Sequence, residues 1–378
     1  MSVISILLII PPGLIVLLHL VMYGGIFVGR RRERRLESIG ASLSATVVVP
    51  ARNEERLLPN LLKTLDEQSE TDFAIVLVDD RSVDATGEIM DRYASQNQRA
   101  RVIHLEEVEN IGNPKLYALI KGAELAKGDI VLFTDADCEV PKSWIEEMGR
   151  SFREESVGLV LGPIETHRNE QPVSTFHCFD HIFKYAYTAG CTGINQATGG
   201  FGNNLAVRRV ALEEVGGLEA IEVSVTEDAA LVAEIRQKTI WQIRARFDRS
   251  ATVLTAPQPD LRALTMQEIR WHSGGLFSAD LTSRLSYRFI MFYLTVSVVA
   301  IPIAVFVPLL FIFPIVSFST MFLVAAYSGI CTRQPWRKYW DRLVPLVLIA
   351  MFYNSYLTVR AISKPDLVWK GEHLGFKQ

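Results

Sequence analysis

Asp129 to Cys138 reads "DIVLFTDADC", an apolar run that passes straight into two carboxylates one residue apart. Such a run is expected to be a buried strand. An Asp-x-Asp at its end either rests on a solvated turn or presents hard oxygen ligands to a divalent cation. The fold follows from what precedes it. "TVVVP" (Thr46 to Pro50), "FAIVLVDD" (Phe73 to Asp80) and "ARVIHL" (Ala100 to Leu105) are runs of the same kind, separated by amphipathic stretches. One of these stretches, "NPKLYALIKGAELAKG", reads as a helix with Pro114 in its first turn and Gly128 as its stop. Near-continuous β-branched runs alternating with helices predict βαβ units, and so an α/β fold with a mostly parallel sheet, between about Ser44 and Gly275.

In such sheets ligands bind beyond the carboxyl ends of the strands. Three successive ends carry acids: "ARNEE" (Ala51 to Glu55), "DDRS" (Asp79 to Ser82) and "DAD" (Asp135 to Asp137). Ser82 also reads as a cap for the following helix. Lys115 either offers an ammonium to a diphosphate or is a solvated helix residue. In "SVTEDAALVAEI" (Ser224 to Ile235), Thr226 occupies an N-cap position with Glu227 and Asp228 in the first turn, a pattern that stabilises a helix without any catalytic role. "QEIRW" (Gln267 to Trp271) reads on its own as an interfacial helix with Trp271 in an aromatic belt.

Apolar residues make up 49% of the 378-residue chain, a surplus that points to a membrane. Met1 to Gly29 contains no Lys, Arg, Asp or Glu and is long enough to span about 30 Å of hydrocarbon. "RRRERR" (Arg30 to Arg35) follows it, which places the next domain in the cytoplasm, with the arginines beside anionic headgroups. Arg288 to Cys331 parses as a hairpin of two spans, and Leu343 to Val359 as a marginal third. The expected units are a membrane helix (1–29), a basic juxtamembrane linker (30–43), a catalytic domain (44–280) and a C-terminal membrane region (281–378) with a short tail. Cys138, Cys178, Cys191 and Cys331 show no C-x-x-C spacing, so neither zinc nor a disulfide framework is suggested. The net charge of -3 excludes a strongly basic nucleic-acid binder. No obligate protein partner is implied.

The ordered set "VVVPARNEE", "VDDRSVDAT", "NPKLYALIKGAELAKGDIVLFTDAD", "GGFGNNLAVRR", "TED" and "QEIRW" resembles the family 2 glycosyltransferases, inverting enzymes with a GT-A fold. The resemblance covers roughly residues 44 to 275. The flanking spans resemble the subset that glycosylates lipids such as ceramide, hopanoids or carotenoids. It implies a UDP-sugar donor, UDP-glucose by default, a lipid hydroxyl as acceptor, and Mg²⁺ or Mn²⁺ as cofactor. It further implies that Pro50, Arg52, Glu54, Asp79 and Asp80 bind the nucleotide, Lys115 the diphosphate, and Asp135 the ribose side. Asp137 would hold the metal and Asp228 would be the base. Glu227, Gln267, Arg270 and Trp271 would close over the diphosphate or shape the acceptor site. His272 is a further candidate for the metal or diphosphate. "GGFGNNLAVRR" would turn beneath the acceptor, its glycines allowing close approach. Acceptor specificity would depend on "FHCFDHIFKYAYTAG" (Phe176 to Gly190) and on the membrane helices; the aromatic content of that segment suits an amphipathic helix at the membrane surface, a lipid-facing groove or plain core packing. A processive polysaccharide synthase and a non-catalytic sugar-nucleotide-binding scaffold are the competing readings.

Overall fold

The computed structural model describes residues 3–35, 43–107, 113–167, 171–221, 224–331, 340–363, 368–369 and 372–373. Residues 36–42 of the juxtamembrane segment, the basic connector 332–339 and most of the tail therefore lie outside the described residues. The chain begins with α1 (Val3–Arg35), which continues through Pro11 and Pro12 and on through the arginine run. The expected linker is thus helical as far as Arg35. Arg32 donates to Gly193 O and Asn195 Oδ1, and Glu33 pairs with Arg246 at 3.3 Å. At these two positions the charged run grips the protein rather than lipid headgroups.

The α/β region follows as β1 (Ala45–Ala51), α2 (Leu58–Asp66), β2 (Phe73–Asp80), α3 (Thr86–Gln96), β3 (Ala100–Leu105), α4 (Pro114–Glu124) and β4 (Ile130–Phe133). Next come β5 (Cys138–Glu139), α5 (Trp144–Arg150), β6 (Val157–Leu161), β7 (Ile164–Thr166), α6 (Pro172–Gly193), β8 (Leu205–Arg208) and α7 (Arg209–Glu214). α8 (Glu227–Lys238), β9 (Gln242–Ala245), β10 (Val253–Thr255) and α9 (Leu261–Leu276) complete it. The main sheet has the order β3-β2-β1-β4-β8-β6-β9, with β5-β10-β7 as a small second sheet. β1 runs parallel to β2 and β4, whereas β8 is antiparallel to both β4 and β6.

The sheet is buried on both faces, which explains why β1 is apolar without alternation. Val47 and Val49 join α2 residues Leu58, Leu61 and Leu65 in one cluster, while Val48 packs with Leu116 and Leu119 of α4 in the other. Burying each such side chain contributes about 1.5–3 kcal/mol. In register, Ala51 lies beside Asp79 and Phe133 beside Val48, so the acid-bearing ends of β1, β2 and β4 share one edge.

Among the described residues, four helices are long and apolar enough to cross a membrane: Leu8–Arg35, Leu281–Ala304, Pro308–Tyr327 and Leu343–Ile362. The last three correspond to α10 (Leu281–Ala304), α11 (Ile312–Cys331) with the turn before it, and α12 (Leu343–Ile362). Their outward faces expose large apolar side chains, among them Leu20, Val299, Ile315 and Phe352, a surface suited to lipid. α1 also packs along α6 at a contact of small residues. A Cβ added at Gly25 would lie 1.9 Å from Gly190 O, so only glycine allows these backbones to meet.

Candidate active site

Asn113 caps α4 by accepting a hydrogen bond from Leu116 N at 3.2 Å, and its amide reaches Ser224 O at 3.0 Å and Glu227 Oε2 at 3.4 Å. This places Lys115 between two acids. Its Nζ lies 2.9 Å from Asp135 Oδ1, 3.0 Å from Asp135 Oδ2 and 3.4 Å from Glu227 Oε1. Burial opposes its charge, but the Asp135 and Glu227 carboxylates outweigh burial and hold the ammonium above its ordinary value.

Asp228, in the first turn of α8, accepts from Gly202 N at 2.9 Å and from Ala229 N at 2.7 Å. Burial pushes its carboxyl up to about 6 and neighbouring Glu227 adds to the rise, while the two N–H donors and Lys115 pull the other way. Thr226 does stand at the N-cap position, but its side chain makes no capping bond; its hydroxyl faces Ser224 Oγ at 3.4 Å.

One cavity of about 350 Å³ joins these groups, within the range of small-ligand sites. Lys115, Asp135 and Asp137 line it from the β4 side, and Glu227 and Asp228 from α8. Gln267, Arg270 and Trp271 close it from α9. Arg270 donates to Val225 O at 3.3 Å. Trp271 does not occupy an aromatic belt; its ring packs against Phe201 and His181, with Lys184 Nζ 4.7 Å above its face.

Pro50, Arg52, Glu54, Asp79 and Asp80 are gathered elsewhere, at the ends of β1 and β2, and do not line this cavity. Asp80 is 1% exposed, 2.8 Å from Arg81 Nε and 3.7 Å from Arg52 Nη1. Asp79 accepts from Ser82 N at 3.1 Å and meets His104 Nδ1 at 3.0 Å. Ser82 is not a helix cap. Its hydroxyl accepts from Asn53 N at 3.0 Å, and Asn53 Oδ1 accepts from Val83 N at 2.9 Å, stitching the two loops together. Asn53 and Arg81 both adopt positive φ, 55° and 56°, a costly backbone state that the surrounding contacts must hold. His272 is fully buried, bonded to Asn354 on α12 at 3.1 Å, and stands outside the cavity wall, so it reaches neither the metal nor the diphosphate candidates.

The sequence singles out the α6 segment for acceptor specificity by its aromatic content, but its polar face went unread. His177, Asp180, His181 and Lys184 fall at i, i+3, i+4 and i+7, one stripe of an otherwise apolar helix, and all line the cavity. The signal was that spacing. The stripe also leads towards the membrane helices, because the same cavity is lined by Ile15 of α1, Met291 and Leu294 of α10, Met321 of α11 and Asn354 of α12.

Comparison with known proteins places a known family domain within the chain. The family described as "Glycosyl transferase family 2" matches residues 46–216. The chain carries a family 2 glycosyltransferase domain. The β-monoglucosyldiacylglycerol synthase of Nostoc sp. (strain PCC 7120) is 27% identical over 284 residues, covering 68% of this chain and 58% of the relative. The 4,4'-diaponeurosporenoate glycosyltransferase of Staphylococcus haemolyticus is 42% identical over 100 residues, 26% of this chain and 25% of that protein. The chain thus spans less than two thirds of these curated relatives. Among solved structures, the mannosyltransferase PcManGT from Pyrobaculum calidifontis, in complex with GDP-Man and Mn²⁺, is similar at a TM-score of 0.52. That match has 16% identity and covers 92% of this chain and 99% of that one. The likeness is one of fold, and the family 2 domain has the GT-A architecture.

Proposed function

We propose that this protein transfers a sugar from a nucleotide-sugar donor, a UDP-hexose, to a hydroxyl of a membrane lipid, with inversion at the anomeric carbon. The relatives named above, one glycosylating diacylglycerol and one a carotenoid acid by their names, support a lipid acceptor. The observation that carries the reading is the continuity of one cavity from Lys115, Asp137 and Asp228 to the walls of the membrane helices.

In this mechanism Asp228 takes the proton of the acceptor hydroxyl. The hydroxyl oxygen forms the new bond to the anomeric carbon, and the bond from that carbon to the diphosphate breaks, its electron pair leaving with the nucleotide. A base near neutrality suits this task, and a carboxyl raised to about 6 is a stronger base than an ordinary one. Gly202 N–H and Ala229 N–H fix its orientation. Lys115 and Arg270 stand where negative charge gathers on the leaving group, so they stabilise the transition state more than the ground state.

Among the described residues no group of three or more His, Cys, Asp or Glu side chains could enclose a metal. Asp137 on the cavity wall instead fits a Mg²⁺ or Mn²⁺ that draws most of its ligands from the diphosphate and water. PcManGT, solved with Mn²⁺, is consistent with that choice. A bound cation would neutralise charge on the departing diphosphate.

Arg30 to Arg35 after the first span supports a cytoplasmic catalytic domain in an integral membrane protein. The direct test incubates membranes containing the chain with radiolabelled UDP-glucose and other UDP-hexoses and extracts the lipids. One sugar on an organic-soluble lipid, with the anomeric configuration opposite to the donor, is the expected product. A water-soluble polymer, or nucleotide binding without transfer, overturns the proposal.

A further inference from the structure

We propose that the α6 stripe His177, Asp180, His181 and Lys184 is the acceptor head-group subsite, and that it admits an uncharged hydroxyl head while rejecting an anionic one. The inference rests on the lipid-glycosyltransferase reading and names the acceptor class for that same cavity.

The stripe is built for a ligand. His177 and His181 are each 1% exposed, yet both ring nitrogens of His177 and Nε2 of His181 have no hydrogen-bond partner, and neither does Gln267 Oε1 on the facing helix. Buried polar atoms left in this state are costly unless something in the cavity completes them. Thr166 Oγ1 occupies His181 Nδ1 at 2.8 Å. Burial holds both imidazoles well below their ordinary values, His177 to about 4, so they are neutral at physiological pH. A neutral imidazole offers one donor and one acceptor, the complement of an alcohol. Tyr187 adds an acceptor. Ile15 O can only accept, so His19 Nδ1 donates to it at 2.7 Å; His19 Nε2 then accepts from the Tyr187 hydroxyl at 2.7 Å, leaving the phenolic oxygen to accept.

The charges on this wall are already matched. Lys184 pairs with Asp180 at 2.6 Å and with Glu268, which is itself 1% exposed. Burial pushes the Glu268 carboxyl up, to about 8, against the pull of Lys184. The one ammonium is therefore committed to two carboxyls. A phosphate entering here would meet Asp180 without a free guanidinium or ammonium to receive it, and desolvated like charges repel strongly. Arg270, which donates to a neutral carbonyl rather than to a carboxylate, stands at the diphosphate end of the cavity. Ile15, Met291, Leu294 and Met321 supply an apolar wall for the lipid's tail.

The test uses the full-length chain in detergent, offered equal amounts of dioleoylglycerol and dioleoylphosphatidic acid, which share tails and differ by the phosphate. Bound lipid is quantified by native mass spectrometry, and UDP binding is measured on the same samples. The expected result is preference for dioleoylglycerol by at least about ten-fold. Asp180→Asn should shift that ratio toward the phosphatidic acid, and Thr320→Phe, in the membrane wall, should reduce both lipids alike. Equal or stronger binding of phosphatidic acid by the unmodified chain overturns the inference, as does a ratio that Asp180→Asn leaves unchanged. So does absence of both lipids while UDP still binds. The unmodified ratio and the Thr320→Phe result hold their force even if Asp180→Asn does not fold. If UDP itself fails to bind, the underlying glycosyltransferase reading falls first and this inference with it.

Discussion

Lys115 Nζ sits 2.9 and 3.0 Å from the two carboxylate oxygens of Asp135, a forked contact that ties the start of α4 to the turn after β4. Glu227 approaches the same ammonium from α8 at 3.4 Å, so three segments of the catalytic domain meet at one cation. Replacing Lys115 with Met removes the charge that offsets Asp135 and Glu227. Truncating one partner of a partly buried pair leaves the others uncompensated. Lys115→Met should weaken nucleotide-sugar binding by at least about ten-fold, since a charge-assisted hydrogen bond is worth about 1.5–3 kcal/mol. It should also lower Tm. Calorimetric titration and a thermal melt check both effects.

On the proposed mechanism, Asp228 sets the pH dependence. The base must be deprotonated, and with its carboxyl raised to about 6 the rate should fall about ten-fold per pH unit below that point. A profile of kcat/KM between pH 4.5 and 8 reads this limb. An acid limb near the ordinary carboxylate range would show that another group is the base.

The same shift has a stability consequence of definite sign. A carboxyl whose folded value lies above its unfolded value favours folding while protonated, and that contribution is lost as pH rises through about 6. Asp228→Asn should therefore melt higher than the parent at pH 7.5, with the gap closing by pH 4. It should keep donor binding and lose transfer by about 10²-fold or more. Melting curves at the two pH values, read beside turnover, separate the chemical role from the structural one.

Asp137 should control metal dependence. Chelation with EDTA is expected to stop transfer, with Mg²⁺ or Mn²⁺ restoring it, and Asp137→Asn should raise the cation concentration for half-maximal activity by about ten-fold or more. Activity unaffected by chelation would remove the cation from the mechanism.

The contact between α1 and α6 gives a test away from the chemistry. At Gly25 there is no room for a side chain because Gly190 O would lie 1.9 Å from its Cβ. Gly25→Val must push the two helices apart. It should lower Tm by several degrees, since overpacking typically costs about 1–3 kcal/mol, and should increase protease cleavage after α1.

Strands β1 and β2 were legible almost to the residue, because parallel strands buried on both faces must be apolar throughout and the acids mark their ends. The convergence of Asp137 and Asp228 on one cavity depended on topology that residue spacing does not contain. The capping roles expected of Ser82 and Thr226 failed for a shared physical reason: short hydroxyl side chains bond wherever a donor or acceptor lies nearest. For Ser82 that group is Asn53 N, across the loop. For Thr226 it is Ser224. His272 looked like a ligand only because it follows Trp271; one residue along a helix turns a side chain by about 100°, here away from the cavity and toward α12. The α6 stripe shows the converse, a pattern present in the letters whose meaning needed the opposing wall.

α1 reaches Arg35 as one helix and is held to the catalytic domain by Arg32, by Glu33 against Arg246, and by the glycine contact with α6. The span and the reaction centre therefore move as one body. Among the described residues, these contacts tie the first span to the domain that carries Asp228. On the proposed mechanism, an acceptor whose alcohol stands one sugar ring farther from the bilayer would overshoot the Asp228 carboxylate.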